Sequence, residues 1–460
     1  MKDVAQEIQQ TEKELSVLPV GYLSRKVING KERFYLQWNE NGKIKSKYVK
    51  ENDLSDVKEQ VERRKELQTK LKELRSSPEG IKNSNLRRKA ARNMIHITGE
   101  LMSGDDVVAS VKNGEITDYD ADRIPLYLKR TKDMETWLAS RAIDPHRTNS
   151  RLLKKALRIR TTDDAQAALA VNAATITDNY WFRPEGSSAI YEDIRFKENY
   201  FSDLALRGDP DSFSKKPSRT PELTNVGSYE KCWKLIDGEW WMYKSGKSEE
   251  YFSELFICKL GETLDLDIAH YEMDNGYIRT KNFLSDTKLN FEPMTSLTDD
   301  DDYANCFEIL SGFSEDIAKQ YLMIVWFDTL CYNMDRHTAN FGLLRNAQTG
   351  KIVSMAPNYD NNIALISRGY PADVTRKKDG LLRLFKEFVR DCPEVRELYR
   401  RMDIPKITEE IIRQCLDDVP IKENAEYITA FILNGQSQLR EMLWTEDMEE
   451  DDGESFGMML

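Results

Sequence analysis

The chain of 460 residues has only four histidines and six cysteines, and it contains no run of eighteen apolar residues. The histidines are far apart and the cysteines show no C-x-x-C spacing, so the sequence predicts neither a zinc or iron centre nor a disulfide framework. Without a long apolar run, no membrane-spanning helix is expected. The polar N-terminus also lacks the apolar core of a signal peptide. These absences predict a cytoplasmic protein with reduced thiols and no membrane contact.

A positive net charge is also missing. The net charge of −12 argues against a protein that binds nucleic acid over most of its surface. The hydrophobic fraction of 40% and the charged fraction of 32% are typical of globular proteins. A chain of this length can form two or three domains, each with its own core. The composition therefore predicts a globular protein of several domains.

Residues 1–92 are predicted to form a small separate module of three strands and a long helix. Two Asn-Gly pairs separate the strands, and Asn-Gly favours tight hairpins because both residues tolerate positive φ. The strands are 20–28, 33–38 and 44–49, and the pairs are Asn29-Gly30 and Asn41-Gly42. A charged helix follows over 51–75. The basic residues of 58–92 leave a contact with nucleic acid open, although the interleaved glutamates favour a solvated helix with internal ion pairs.

The strongest chemical signal is the spacing of three polar residues in the C-terminal half. A helix-like apolar run over 321–330 leads into a polar loop with Asp335 and Asn340, which are five residues apart, and Asp360 lies twenty residues further on. In kinases a base Asp and a metal-binding Asn have the same five-residue spacing, and a second metal-binding Asp follows on a later strand end. The spacing predicts that Asp335 orients a substrate hydroxyl, while Asn340 and Asp360 hold Mg²⁺ on ATP.

The phosphate-binding side of such a site is predicted around the Asp237-Gly238 hairpin. A glycine-containing loop can bring backbone N–H groups to phosphates, and a lysine on a following strand can neutralise them. The loop residues predicted to contact the nucleotide are Asn225, Gly227 and Ser228. Lys244 is the predicted phosphate-binding lysine, and Lys234 on the neighbouring strand is the alternative.

The run Asp335-Arg-His-Thr-Ala-Asn340, with Tyr359-Asp360 after it, resembles the catalytic core of the HipA-like serine/threonine kinases. The resemblance covers residues 94 to 370. It implies an α+β, bilobal protein-kinase-like fold with a mixed N-lobe and a helical C-lobe, preceded here by the β-meander and helix module. It also implies a phosphotransferase that moves the γ-phosphate of ATP to a serine or threonine of a protein substrate.

The same resemblance implies roles for two further residues and for a partner. A glutamate of the helix after the hairpin pairs with the phosphate-binding lysine in this family. Glu254 fits that role, with Glu250 one turn earlier as the alternative. Ser228 becomes a candidate for self-phosphorylation. HipA-like kinases often act as toxins restrained by a DNA-binding antitoxin, so an antitoxin or another regulatory partner is expected as well.

The chain is therefore predicted to consist of four parts. They are the module 1–92, the HipA-like N-terminal region and kinase N-lobe 93–290, the helical C-lobe 291–444, and the acidic tail 445–460. Two other functions remain open. One is a kinase-fold regulator (a pseudokinase) that binds a nucleotide or a partner without phosphotransfer, and the complete set of Asp335, Asn340 and Asp360 argues against it. The other is a small-molecule or lipid kinase, which the lack of a basic amphipathic helix makes the weaker alternative.

Overall fold

The chain forms two compact units, Met1–Ile95 and His96–Leu460. The computed structural model describes residues 7, 11, 13–15, 18–28, 31–40, 43–76, 97–159, 161, 163–284 and 288–455. The predicted module boundary at residue 92 lies outside these residues. Among the described residues, no helix has both the length and the apolar character that a membrane crossing requires.

The first unit contains an antiparallel three-stranded meander followed by one long helix, as predicted. The elements are β1 (Tyr22–Ile28), β2 (Lys31–Glu40), β3 (Lys43–Val49) and α1 (Leu54–Ser76). The two Asn-Gly pairs of the meander lie outside the described residues. So do residues 77–92 of the basic segment.

The basic side chains of α1 bind acidic and backbone groups of the residues that precede the meander. Arg63 pairs with Glu14 at 3.3 Å, and Lys70 pairs with Glu7 at 2.8 Å. Arg64 donates two hydrogen bonds to backbone carbonyls before the meander. These contacts join α1 to the preceding segment, and within α1 itself Arg63 pairs with Glu66 at 3.2 Å, as the interleaved charges predict.

The second unit begins with an antiparallel sheet of order β6-β5-β4-β7, with four short helices between β6 and β7. The strands are β4 (Gly99–Ser103), β5 (Asp106–Lys112), β6 (Glu115–Tyr119) and β7 (Tyr180–Pro184). The helices are α2 (Leu126–Thr131), α3 (Met134–Ser140), α4 (Ser150–Ala156) and α5 (Asp164–Leu169). Two more short helices follow β7, α6 (Tyr191–Ile194) and α7 (Ser202–Arg207).

A second antiparallel sheet, of order β10-β11-β9-β8, carries the predicted phosphate-binding hairpin. Its strands are β8 (Lys231–Ile236), β9 (Glu239–Lys244), β10 (Tyr271–Asp274) and β11 (Tyr277–Lys281), and α8 (Ser248–Thr263) connects β9 to β10. At the turn between β8 and β9, Asp237 and Gly238 have φ values of +51° and +83°. The hairpin prediction is therefore confirmed.

The remaining part of the second unit is mostly helical and contains a small sheet of order β12-β13-β14. Its strands are β12 (Leu289–Pro293), β13 (Gly342–Asn346) and β14 (Ile352–Met355). The helices are α9 (Tyr303–Ser311), α10 (Glu315–Cys331), α11 (Gly380–Asp391), α12 (Pro393–Arg401), α13 (Glu409–Asp418) and α14 (Ala425–Ser455). The backbone of α14 thus continues into the predicted acidic tail.

α10 is the central helix of this core, because it is buried along most of its length. This burial explains why its sequence is a nearly continuous apolar run rather than an amphipathic pattern. A parallel bridge between Ile268 and Asn358 joins the approach to β10 to the segment after β14. The bridge brings the second sheet next to the loop that follows α10. The predicted α+β class is confirmed, with a mixed part followed by a helical part.

Candidate active site

Lys244, at the end of β9, lies between two predicted site residues. Its Nζ is 2.6 Å from Asp360 Oδ1 and 3.6 Å from Glu254 Oε2. The hydroxyl of Tyr271 is 3.3 Å from the same nitrogen. Lys244 is 8% exposed and Glu254 is fully buried. The structure thus joins β9, α8 and the segment after β14 through one buried ammonium group.

The two alternatives considered from the sequence lie elsewhere. Lys234 pairs with Asp203 at 3.1 Å rather than with Asp360. Glu250 accepts a hydrogen bond of 2.9 Å from the backbone N–H of Lys247, which satisfies a donor at the start of α8. Neither residue contacts Lys244. The geometry therefore selects Lys244 and Glu254 as the pair.

Lys231 is a second lysine of this site, and it is not among the predicted site residues. It is paired directly with Lys244 in the β8–β9 ladder, so both side chains project from the same face of the sheet. A Cβ atom at Gly227 would lie 2.4 Å from Lys231 Nζ. Burial lowers the pKa of Lys231 to about 8, against the opposing effect of Asp360. The signal was present in the sequence, since the two-residue Asp237-Gly238 turn fixes this register.

The predicted glycine loop is fixed at both ends by Arg147, which lies far earlier in the chain. Nη1 donates to the carbonyl of Asn225 at 3.0 Å, and Nη2 donates to the carbonyl of Lys231 at 2.5 Å. The side chain of Asn225 is only 3% exposed, and its Nδ2 donates to Glu222 Oε2 at 3.0 Å. This side chain therefore stabilises the loop from inside the protein.

The tip of the loop is open to solvent and lies near the predicted base. Gly227 has a φ of +114°, a conformation that favours glycine, and Ser228 is exposed. Burial raises the pKa of Tyr229 to about 12, and the nearby carboxylates of Glu250 and Asp335 add to this effect. Asp335 is thus close enough to the loop to act on Tyr229 electrostatically.

The catalytic-loop candidate is organised by Arg336, which is not among the predicted site residues. Its Nε and Nη2 form a bidentate pair with Asp328 of α10, at 2.7 and 2.9 Å. Its Nη1 donates to the carbonyls of Asn340 and Tyr359, at 2.7 and 2.6 Å. Burial opposes the charge, but Asp328 outweighs burial and the pKa of Arg336 lies above its ordinary value. One buried guanidinium thus connects the loop to the segment that ends at Asp360.

Two asparagines complete this network. Arg336 Nη2 donates to Asn361 Oδ1 at 2.8 Å. Asn333 Nδ2 donates to Asp328 Oδ1 and Asn361 Oδ1, at 3.0 and 3.1 Å. Asn333 Oδ1 in turn accepts the backbone N–H of Asp335 at 3.1 Å. The backbone of Asp335 is therefore fixed by a side chain that also contacts the buried ion pair.

Asn340 and Asp335 contact each other directly. Asn340 Nδ2 donates to the carbonyl of Asp335 at 3.0 Å. Because the amide nitrogen makes this bond, Oδ1 is the atom of Asn340 that can ligate a cation. His337 is exposed, and its Nδ1 accepts the N–H of Ala339 at 3.2 Å. This bond stabilises the loop locally, which agrees with a structural role for His337.

Asp360 occupies an unusual backbone conformation next to Lys244. Its φ is +64°, and its N–H donates to the hydroxyl of Tyr271 at 3.3 Å. Burial alone would raise the pKa of Asp360, but Lys244 and Lys231 outweigh burial and hold the pKa at about 2. Asp360 is therefore an ionised carboxylate. Together with the amide oxygen of Asn340 it supplies the oxygen donors that Mg²⁺ prefers.

Two protein families match parts of the chain. Residues 228–422 match the HipA-like C-terminal domain, and residues 1–59 match a domain of unknown function (DUF6788). The first match contains Ser228 and every predicted site residue that follows it, while Asn225 and Gly227 lie just before it. A comparison with curated proteins gives no match.

Several solved structures are similar to the chain, and two of them come from Helicobacter pylori and Shewanella oneidensis. The proinflammatory kinase CtkA of Helicobacter pylori is 17% identical, with a TM-score of 0.35 over 48% of this chain and 95% of CtkA. HipA of Shewanella oneidensis MR-1, solved with HipB and its operator DNA, is 14% identical, with a TM-score of 0.44 over 75% of this chain and 99% of HipA. The match of residues 228–422 confirms the resemblance inferred from the Asp335 motif, because this part of the chain is similar to the HipA-like C-terminal domain.

Proposed function

We propose that the chain is an ATP- and Mg²⁺-dependent kinase that transfers the γ-phosphate to a serine or threonine of a protein. The observation that carries this proposal is the cluster of Lys244, Glu254 and Asp360 beside the Asp335–Asn340 loop. It combines a buried cation for phosphates, oxygen donors for a metal, and a carboxylate for a hydroxyl. A pseudokinase has no need for all three.

The chemistry depends on positioning and charge, so each residue has a limited task. Bound Mg²⁺ would supply positive charge next to the phosphates, with Asn340 Oδ1 and Asp360 as its protein ligands. Lys244 and Lys231 neutralise phosphate oxygens, and Glu254 keeps Lys244 in position. Asp335 accepts or orients the proton of the attacking hydroxyl.

The direct test is incubation of the purified protein with Mg²⁺ and γ-labelled ATP, with and without cell extract. We expect label on a protein, at serine or threonine, and none with the Asp360→Asn variant. Exposed Ser228 is the candidate for self-labelling, and mass spectrometry of the labelled chain would locate the phosphate. Label in an extracted lipid or metabolite would instead favour a small-molecule kinase. Tight nucleotide binding without transfer would favour a kinase-fold regulator.

The affinity for ATP should depend on pH through Lys231. Its pKa of about 8 in the free protein means that the side chain is charged below this pH and loses its proton above it. Phosphates bind the charged form, so binding above pH 8 requires proton uptake and affinity should fall by up to about tenfold per pH unit. Equilibrium titration with ATP between about pH 6.5 and 9.5 measures this slope.

Lys231→Arg is the matched control, because arginine stays charged throughout this range. This variant should bind ATP with an affinity that changes little between the two ends of the titration. An equal slope in the variant and in the wild type would show that another group causes the pH dependence.

We further propose that a protein partner restrains this kinase, as the HipA-like resemblance implies for toxins and their antitoxins. The HipA structure of Shewanella oneidensis contains HipB and operator DNA, and this assembly is an observation on that HipA rather than on the present chain. The family matched by residues 1–59 has no known function, so it assigns the N-terminal module neither a protein contact nor a DNA contact.

A further inference from the structure

A second cluster of possible metal ligands lies on α8, outside the residues proposed for phosphotransfer. Cys258, Glu262 and His270 each offer one ligand atom, and the three atoms lie within 4.8 Å of one another. Cys258 and Glu262 are one turn apart on α8, and His270 directly precedes β10. His270 Nδ1 is 2.5 Å from Glu262 Oε1. A sulfur, a carboxylate oxygen and an imidazole nitrogen are the ligand types that Zn²⁺ binds in proteins.

The burial of the cluster suits an ion that enters from solvent. Cys258 is 2% exposed, whereas the side chains of Glu262 and His270 are 35% and 54% exposed. The sulfur therefore forms the inner side of the cluster, and the other two groups form its open side. An ion that enters from the open side would replace the hydrogen bond between His270 Nδ1 and Glu262 Oε1.

The neighbours of the cluster partly offset the burial of its sulfur and orient its histidine. Burial raises the pKa of the Cys258 thiol to about 12, and the backbone N–H of Tyr271 opposes this effect by donating to Cys258 Sγ at 3.2 Å. Glu272 Oε2 is 3.8 Å from His270 Nε2, the ring nitrogen that points away from Glu262. A carboxylate beside the second nitrogen is the usual way in which a metal-binding imidazole is oriented.

We propose that Cys258, Glu262 and His270 bind one Zn²⁺ ion, with water as the fourth ligand. Cys258 releases its thiol proton to solvent when the Zn–S bond forms. The thiolate and the carboxylate then balance the two positive charges of the ion, which offsets the cost of a charged sulfur at a buried position. The histidine spacing gave no sign of this site, because its ligands come from two elements and include only one histidine.

The position of the ion couples it to the candidate active site. Cys258 lies one turn after Glu254 on α8, and His270 is next to Tyr271, which contacts Lys244. An ion bound by Cys258 and His270 joins α8 to β10, the two elements that surround Lys244. The ion is therefore a structural support of that arrangement. This consequence rests on the proposed kinase function, but the binding of zinc does not.

The test is titration of tag-free, chelator-treated protein with Zn²⁺, and with Co²⁺ as a spectroscopic probe, in the presence of excess Mg²⁺. We expect one ion per chain and a thiolate-to-cobalt absorption band. His270→Ala and Glu262→Gln should each weaken zinc binding by at least about 100-fold, since loss of second-shell groups alone costs about 10–100-fold. Cys258→Ser should remove the absorption band.

Three variants serve as controls. His146→Ala removes an exposed histidine elsewhere, Cys232→Ser removes a buried cysteine of β8, and Asp335→Asn blocks the proposed phosphotransfer. All three should bind zinc like the wild type, so failure of the kinase proposal leaves this test intact. Because Glu262 and His270 are exposed, their variants keep the test valid even if Cys258→Ser fails to fold. Wild-type zinc affinity in His270→Ala, or cobalt binding without a thiolate band, would overturn the proposal.

Discussion

Asp335→Asn should lower the rate of phosphoryl transfer by about 10²- to 10⁴-fold, which is the usual cost of losing a general base. The change removes a carboxylate but keeps the shape of the side chain. The bonds from Asp335 to Asn333 and Asn340 involve only its backbone N–H and carbonyl groups, so the loop should retain its structure. Single-turnover transfer from γ-labelled ATP and equilibrium titration with ATP measure the rate and the affinity separately.

The expected result is a slow enzyme with unchanged ATP affinity. Asp301→Asn is a matched control, because Asp301 is an exposed acid in the loop before α9, and its rate should equal that of the wild type. Transfer by Asp335→Asn as fast as by the parent would show that Asp335 is not the base. A large loss of ATP affinity would mean that the substitution impairs nucleotide binding rather than proton transfer from the attacking hydroxyl.

Arg336→Met should lower the free energy of unfolding by about 3–5 kcal/mol, the cost of leaving one member of a buried ion pair without its partner. The side chains of Arg336 and Asp328 are each only 3% exposed. The variant leaves the carboxylate of Asp328 buried beside methionine and removes the donors to the carbonyls of Asn340 and Tyr359. Urea denaturation followed by circular dichroism measures the loss.

Arg413→Met provides the comparison, since Arg413 pairs with Glu409 at 2.7 Å and with Glu426 at 2.9 Å on the surface. Exposed pairs contribute about 0–1 kcal/mol, so this variant should be nearly as stable as the wild type. The double variant Arg336→Met/Asp328→Leu should regain part of the lost stability, because it leaves neither charge of this ion pair buried without a partner. A loss for Arg336→Met as small as that for Arg413→Met would contradict the importance of this network.

The sequence could predict the features that depend on neighbours along the chain. The Asp237-Gly238 turn and the five-residue spacing from Asp335 to Asn340 are local patterns, and each has a direct structural meaning. The position of Lys231 next to Lys244 could also have been predicted. A two-residue hairpin fixes the pairing of its strands, and this pairing puts Lys231 opposite Lys244.

Contacts between distant segments could not be predicted in the same way. Arg147 bonds to Asn225 across a separation of 78 residues, and no periodicity relates the two. The sequence predicted Asn225 as a nucleotide contact, and in the structure its side chain is buried and donates to Glu222, three residues earlier. The role of Arg336 also depends on the tertiary structure, which brings Asp328, Asn340 and Tyr359 to one guanidinium.

The most direct measurement is a crystal structure of the protein with Mg²⁺ and a non-hydrolysable ATP analogue. We expect a triphosphate between the loop 225–231 and Lys244, with a metal ion bound to Asn340 Oδ1 and the carboxylate of Asp360. The terminal phosphate should face Asp335. A nucleotide bound elsewhere, or a metal ion that contacts neither Asn340 nor Asp360, would contradict the proposed kinase site.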